Sequence, residues 1–228
     1  MIINNMSGIN TYGIQLDDSD ISKKVHRGRV GGLWDELGTL QFEFLKLQGL
    51  KPEHRLLDLG CGCMRGGVKF IDYLNVTNYT GIDINASLLK AGSAEITEHA
   101  LTGKQACLVQ SDSFGSDKHI GLFDFAISVS LFTHLPSSYI QQALQTVKSK
   151  LVNDGLYFAT FFVVDDLNAL YVPTVQLPGD VTTHAHKDPF HFNPHLIEFI
   201  SEQVGLKCTY IGNWEHPRNQ KMFKFEHK

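Results

Sequence analysis

The chain is short of positive charge, of cysteine and of long apolar runs, and each shortage removes a class of function. Among its 228 residues, 20 Lys and Arg face 24 Asp and Glu, a formal net charge of −4. Nucleic-acid binding ordinarily rests on a broad positive field, which this balance does not supply. No window approaches the roughly 18 apolar residues of a membrane span. The longest such stretch, Gly155 to Val164, has only the length of a strand. The opening MIINNMSGIN has neither a basic end nor an apolar run, so no secretory signal is expected. Cysteines stand at 61, 63, 107 and 208. The close pair is Cys-Gly-Cys, neither a redox CxxC nor half of a zinc knuckle. Reduced thiols in a cytoplasmic protein are the expectation.

The composition, 43% hydrophobic and 19% charged, is that of a globular chain. At roughly 150 residues per domain, the length allows one decorated domain or two small ones. Residues 1–30 are polar, with Asp17, Asp18 and Asp20 followed by Lys23, Lys24, Arg27 and Arg29. They read as an N-terminal arm, with a flexible tail as the plain alternative. From Trp34 to Gln48 apolar residues recur at helical spacing, ended by Gly49 and Pro52. Strands are then expected at 55–59, 79–84, 106–110, 123–130 and 156–164. Helices are expected at 65–74, after Asn85, and from Pro136 to near Val152, with Asn153-Asp154-Gly155 as the following turn.

This alternation implies right-handed βαβ units and a parallel sheet covered on both faces. Asp165 to Phe192 breaks the rhythm and reads as a long loop, of the kind used for lids and binding loops. Asn193-Pro194 starts a helix ending at Gly205, and two closing strands follow at 207–211 and 221–225. The domain is therefore set at 31–228, with 165–192 as a substrate lid or insertion.

The informative stretch is Leu56-Leu57-Asp58-Leu59-Gly60-Cys61-Gly62-Cys63-Met64-Arg65-Gly66-Gly67. It leaves a strand, turns through glycines and enters a helix, so its backbone can approach a ligand closely. The dinucleotide fingerprint GxGxxG fails, because its sixth position is Arg65. Asp58 suits a ligand with a cationic amino-acid moiety and would sit badly beside a pyrophosphate. S-adenosylmethionine is favoured over NAD on that ground.

From Leu56 to Val164 the sequence resembles the class I S-adenosylmethionine-dependent methyltransferases. The resemblance implies a Rossmann-like doubly wound, mostly parallel seven-stranded sheet with an antiparallel C-terminal strand and a helical N-terminal cap. Asp58-Leu59-Gly60-Cys61-Gly62 is similar to the family's first motif. Asp83, with Ile84, falls where the family binds the ribose hydroxyls. Asp112 and Ser113 fall where it binds adenine. Phe123 to Ser130 resembles its fourth strand, and Leu151 to Leu156 its turn into the fifth. Cofactor candidates are thus Asp58, Gly60, Cys61, Gly62, Arg65, Asp83, Ile84, Asp112, Ser113 and Ser130. Met64 departs from the pattern, since many members have a third glycine there. Arg65 either reaches the cofactor carboxylate or covers the helix end. The Cys-Gly-Cys-Met-Arg-Gly-Gly turn, the 26–34 arm and the 214–220 connection are together similar to a small bacterial subgroup with no assigned substrate.

His134 directly follows the fourth strand, beside the expected methyl group, and is a candidate base or substrate contact; a histidine bonded within its loop is the plain alternative. His184, His186, His191 and His195 with Asp188 have no known zinc spacing, so no metal is assigned. His191 is the second catalytic candidate, and His186, His191, Trp214 and Arg218 are substrate-binding candidates. Trp214 is as readily a core anchor, and Arg218 either reads an anionic acceptor or decorates a hairpin. The expected activity is in-line methyl transfer to an oxygen or nitrogen of a small molecule, with no nucleic-acid or membrane partner. An NAD-dependent oxidoreductase and a non-catalytic S-adenosylmethionine-binding protein are the alternatives.

Overall fold

The computed structural model describes residues 13–228, so the expectation drawn from MIINNMSGIN lies outside the described residues. The chain begins with helices α1 (Asp18–Ser22), α2 (Val25–Arg29) and α3 (Trp34–Leu47). Next come β1 (Leu56–Leu59), α4 (Gly67–Tyr73), β2 (Tyr79–Asp83), α5 (Ala86–Glu98), β3 (Cys107–Gln110), β4 (Phe123–Ser128), α6 (Ser137–Lys148) and β5 (Leu151–Val163). The remainder holds β6 (Thr174–Gln176), β7 (Val181–Thr183), β8 (His191–Phe192), α7 (Pro194–Val204), β9 (Leu206–Gly212) and β10 (Lys221–His227).

The main sheet runs in the order β3-β2-β1-β4-β5-β10-β9. Its pairs are parallel from β3 through β5, and β10 runs antiparallel to both β5 and β9. This is the expected doubly wound sheet with an antiparallel C-terminal strand, extended by the two residues of β8 beside β5. β1 is central, and Leu56, Leu57 and Leu59 are at most 1% exposed, as a strand covered on both faces requires. Each contributes about 1.5–3 kcal/mol of burial. Leu57 and Leu59 pack with Ile140, Leu144, Ile197 and Ile200 of α6 and α7. Leu56 packs with Leu45, Phe70, Ile71 and Ile96 of α3, α4 and α5 on the other face.

The helix ends follow local chemistry. The Asn85 side chain accepts from Ser87 N and Leu88 N, and Asn193 from His195 N with Pro194 behind it. Two boundaries differ from expectation. α6 stops at Lys148, because Leu151 already pairs with Phe123, so Asn153-Asp154-Gly155 lies inside β5. The 165–192 segment is not a plain loop: β6 and β7 form an antiparallel hairpin of three-residue strands, too short for a visible period.

The segment before α3 is fastened across the sheet's ligand edge. Asn85 Nδ2 donates to Ile14 O (3.0 Å), and Leu16 N donates to Ser87 Oγ (2.9 Å). Arg27 donates twice to the buried Glu95, through Nε and Nη2 at 2.7 Å each, and His26 Nε2 donates to Glu95 Oε1 at 2.7 Å.

Candidate active site

The strand order reverses between β1 and β4, and a cavity of about 530 Å³ opens beyond the carboxyl ends of those strands and β2. A crevice at that switch point is where open α/β sheets place ligands. Its floor is the turn after β1. Gly60 and Gly62 both have positive φ, at 76° and 55°, and a Cβ on Gly62 would stand 3.0 Å from Val30 Cγ1. Met64 keeps a left-handed φ of 73° although it has a side chain. That conformation costs roughly 1–2 kcal/mol, which the fully buried side chain offsets; its Sδ takes the Tyr79 hydroxyl at 3.4 Å.

Two carboxyl groups dominate the wall. Asp58 is 5% exposed and accepts from Tyr79 OH at 2.7 Å. Burial, with the neighbouring Asp83 charge adding to it, pushes its carboxyl up from an ordinary 3.8 to about 7, against the Tyr79 hydrogen bond and the Arg65 charge. Asp83 accepts from Gly62 N and from Asn85 N, both at 2.9 Å. Its carboxyl is also raised, because burial outweighs the backbone N–H groups of Asn85, Gly62 and Ile84. A buried acid and a half-buried one that resist ionisation side by side favour a ligand that brings positive charge. A carboxylate already oriented by backbone N–H groups also retains lone pairs for hydroxyls.

The structure brings most of the cofactor candidates to one place. Asp58, Gly60, Cys61, Gly62, Arg65, Asp83, Ile84, Asp112 and Ser130 all line the cavity. Ser113 is not on its wall; its Oγ lies 3.0 Å from Asp117 Oδ1 and closes the loop after β3. Arg65 Nη1 donates to Val30 O and Gly32 O, at 2.9 and 3.2 Å, so the guanidinium holds the N-terminal segment over the turn. Ser130 N and Oγ reach Thr160 Oγ1 and Gln220 Oε1.

His134 stands on the cavity wall, with Nδ1 donating to Asp188 Oδ1 at 2.5 Å. The other acceptor-side candidates lie elsewhere. His191 is buried inside the 165–192 segment, where Nε2 donates to Leu170 O (2.7 Å) and Nδ1 lies 2.8 Å from Thr183 Oγ1. His186 packs its ring 5.9 Å from that of His184, off the cavity wall. Trp214 is buried against Phe44 and donates Nε1 to Gln220 O, as a core anchor does. Arg218 Nη2 donates to Gly31 O at 2.5 Å. No group of three His, Cys, Asp or Glu suited to a metal occurs among the described residues.

Sequence reasoning missed Tyr79, Gln220 and Gln41, and weighed Asp188 only as a metal ligand. Tyr79 opens β2 with the period of an ordinary apolar strand residue, and only the fold puts its hydroxyl against Asp58. Gln220, buried and shared by Ser130 and Thr160, is one of a run of polar residues before a strand, with nothing to single it out. Gln41 faces the cavity from a helix whose other buried positions are mostly apolar.

Residues 57–157 match the family model described as "Methyltransferase domain". Among solved structures, the chain is similar to magnesium protoporphyrin IX methyltransferase from Synechocystis PCC 6803 with bound S-adenosylmethionine. That match has 14% identity and a TM-score of 0.60, over 95% of this chain and 88% of the other. It is also similar to an S-adenosylmethionine-dependent methyltransferase from Clostridium acetobutylicum ATCC 824, at 11% identity and a TM-score of 0.64, over 92% and 99% of the two chains. A third likeness is to the glycopeptide N-methyltransferase MtfA complexed with S-adenosylhomocysteine, at 15% identity and a TM-score of 0.61, over 84% and 90%. At these identities the structural likenesses speak for the fold.

Proposed function

We propose that the chain is a class I S-adenosylmethionine-dependent methyltransferase that methylates an oxygen or nitrogen of a small-molecule acceptor, with His134 receiving the acceptor's proton, a reading supported by the methyltransferase-domain match over residues 57–157. The observation that carries this reading is the cavity itself. Its floor is the glycine turn at Gly60 and Gly62, the buried Asp58 and half-buried Asp83 line one wall, and His134 stands on another. The volume, about 530 Å³, lies in the range of pockets for small ligands.

When bound, S-adenosylmethionine supplies an electrophilic methyl group on a positively charged sulfur. Asp58 would hold the cationic amino-acid end, and Asp83, oriented by the N–H groups of Gly62 and Asn85, would accept from the ribose hydroxyls. Asp112 lies beyond them for the adenine. Ser130, held by Thr160 and Gln220, forms the edge between cofactor and acceptor. Val30 and Leu131 pack close against the glycine turn, leaving little room for a Cβ there. His134, on the cavity wall after β4, serves as general base to the acceptor.

The net charge of −4 suits a small acceptor better than a polyanion. Among the described residues no helix is long and apolar enough to cross a membrane. A reducing, cytoplasmic setting agrees with four free thiols. The test is turnover of S-adenosylmethionine labelled in its methyl group against a panel of phenols, alcohols, carboxylic acids and amines. Label in product, lost in His134→Ala with cofactor affinity retained, supports the reading. Calorimetry showing no affinity for S-adenosylmethionine or S-adenosylhomocysteine would overturn it.

A further inference from the structure

We propose that Asp188, carried on the 165–192 insertion, is the positioning residue for His134 and holds its ring in the catalytically useful tautomer. The proposal rests on the reading of His134 as proton acceptor. Asp188 Oδ1 lies 2.5 Å from His134 Nδ1. An ionised carboxylate only accepts hydrogen bonds, so the proton of a neutral ring is kept on Nδ1 and the lone pair on Nε2. As the bond from acceptor to methyl carbon forms and the carbon–sulfur bond breaks, the electron pair of the latter leaves with sulfur. The acceptor's proton passes to Nε2, and the resulting imidazolium has the Asp188 charge against its other nitrogen. The acceptor is therefore one whose attacking atom sheds a proton, a hydroxyl or an N–H group.

The insertion is built to deliver that carboxylate. Phe190 N donates to Thr133 O at 2.7 Å, which fastens the segment two residues after Asp188 to the residue before His134. Thr133 is itself buried, with Oγ1 donating to Ser130 O at 3.1 Å. On the far side, His184 N donates to Pro189 O (2.9 Å) and His191 N to His184 O (3.0 Å), which closes the loop around Asp188. The buried His191 ring then joins that loop to Thr183 of the hairpin and to Leu170. His191, a residue that sequence alone places among the catalytic candidates, thus serves the loop that aims Asp188.

Two measurements test this. Long-range 1H–15N correlation at pH 8, on protein labelled in histidine and saturated with S-adenosylhomocysteine, reads the tautomer of His134 directly. Wild type should carry the proton on Nδ1, and Asp188→Ala should move it predominantly to Nε2. A wild-type ring protonated on Nε2, or a tautomer unchanged by Asp188→Ala, overturns the proposal, and this arm needs no acceptor. In turnover with an acceptor found in the panel, Asp188→Ala should lower kcat about 100-fold with KM for S-adenosylmethionine unchanged, and Asp188→Glu should restore part of it. Unchanged kcat in Asp188→Ala while His134→Ala is inactive refutes the positioning role alone. Full activity in His134→Ala instead refutes the base reading beneath it.

Discussion

Lowering the pH from 8 to 6 should loosen the hold on S-adenosylmethionine, and the size of the effect follows from Asp58. Burial raises its carboxyl to about 7 in the free protein. About nine in ten copies are then ionised at pH 8 and about one in ten at pH 6. Only the ionised form attracts a cation, so this fraction alone lowers affinity about tenfold; protonation of the cofactor's α-amino group between pH 8 and pH 6 returns about a factor of two, for a net fall of about fourfold, or about 0.8 kcal/mol. At pH 6 the cofactor's own α-amino group, with an ordinary value of about 7.7–8.0, stays protonated. Binding there should release about 0.9 protons, all from the protein. Titration calorimetry in buffers of different ionisation enthalpy counts them, and Asp58→Asn should abolish both the release and the slope. The same group acts on folding with the opposite preference. Its folded value lies above the unfolded one, so the native state holds the proton more tightly. Stability should decline as pH rises from about 4 to about 7 and level off beyond, by about 4 kcal/mol in total. Free Asp58→Asn should therefore melt higher than wild type at pH 8 while binding the cofactor worse. Proton release near zero at pH 6, or the same pH slope in Asp58→Asn, would refute the reasoning.

Three further outcomes can be checked on the protein alone or with S-adenosylhomocysteine. Gly62→Ala combines a φ of 55° with a Cβ 3.0 Å from Val30, and should cost about 1–2 kcal/mol in thermal denaturation. Glu95→Gln removes the charge that meets Arg27 and His26 in a buried site, and should cost about 3 kcal/mol in urea unfolding. Burial pushes the Glu95 carboxyl up, but the Arg27 and His26 hydrogen bonds outweigh it and hold it below its ordinary 4.5. Its stabilisation is therefore present above that value and lost as pH falls through the lower folded one. His191→Leu removes the donor to Leu170 O, at about 1–3 kcal/mol, while Thr183 Oγ1 keeps Thr174 O and Gln176 Nε2. It should speed proteolysis within 165–192 and leave S-adenosylhomocysteine affinity at the wild-type value.

The sheet and the cofactor wall were legible because their signals are local. β1, β2 and β4 are short apolar runs, and each candidate acid sits at or just beyond a strand end, where the alternation of strand and helix alone predicts a shared edge. The end of α6 was set too late because Leu151 and Val152 extend an apolar pattern; pairing with Phe123 decides their state instead. The acceptor side was not legible for a different reason. His134 and Asp188 are 54 residues apart, and Ser130 and Gln220 are 90 apart. No period or motif links such pairs, and only the docking of the insertion and the terminal hairpin makes them neighbours. His191 misled because a histidine beside aromatics looks the same in sequence whether it faces a ligand or a carbonyl of its own loop.

Arg218 joins parts of the chain that are far apart in time as well as in sequence. Its guanidinium donates to Gly31 O across 187 residues, and its Cα stands 2.5 Å from where a Cβ on Gly179 would lie. Contacts this non-local form late, since the entropy of closing so long a loop is met before they contribute. During synthesis β1 to β4 can pair as they emerge, whereas the N-terminal segment gains this tether only after residue 218 has been made. The order of synthesis therefore makes this tether the last of those that hold the N-terminal segment, after Arg65, Asn85 and Glu95 have been made. A nascent chain halted before the terminal hairpin would present the Asp58–Asp83 edge without the Arg218 tether that helps hold its cover in place.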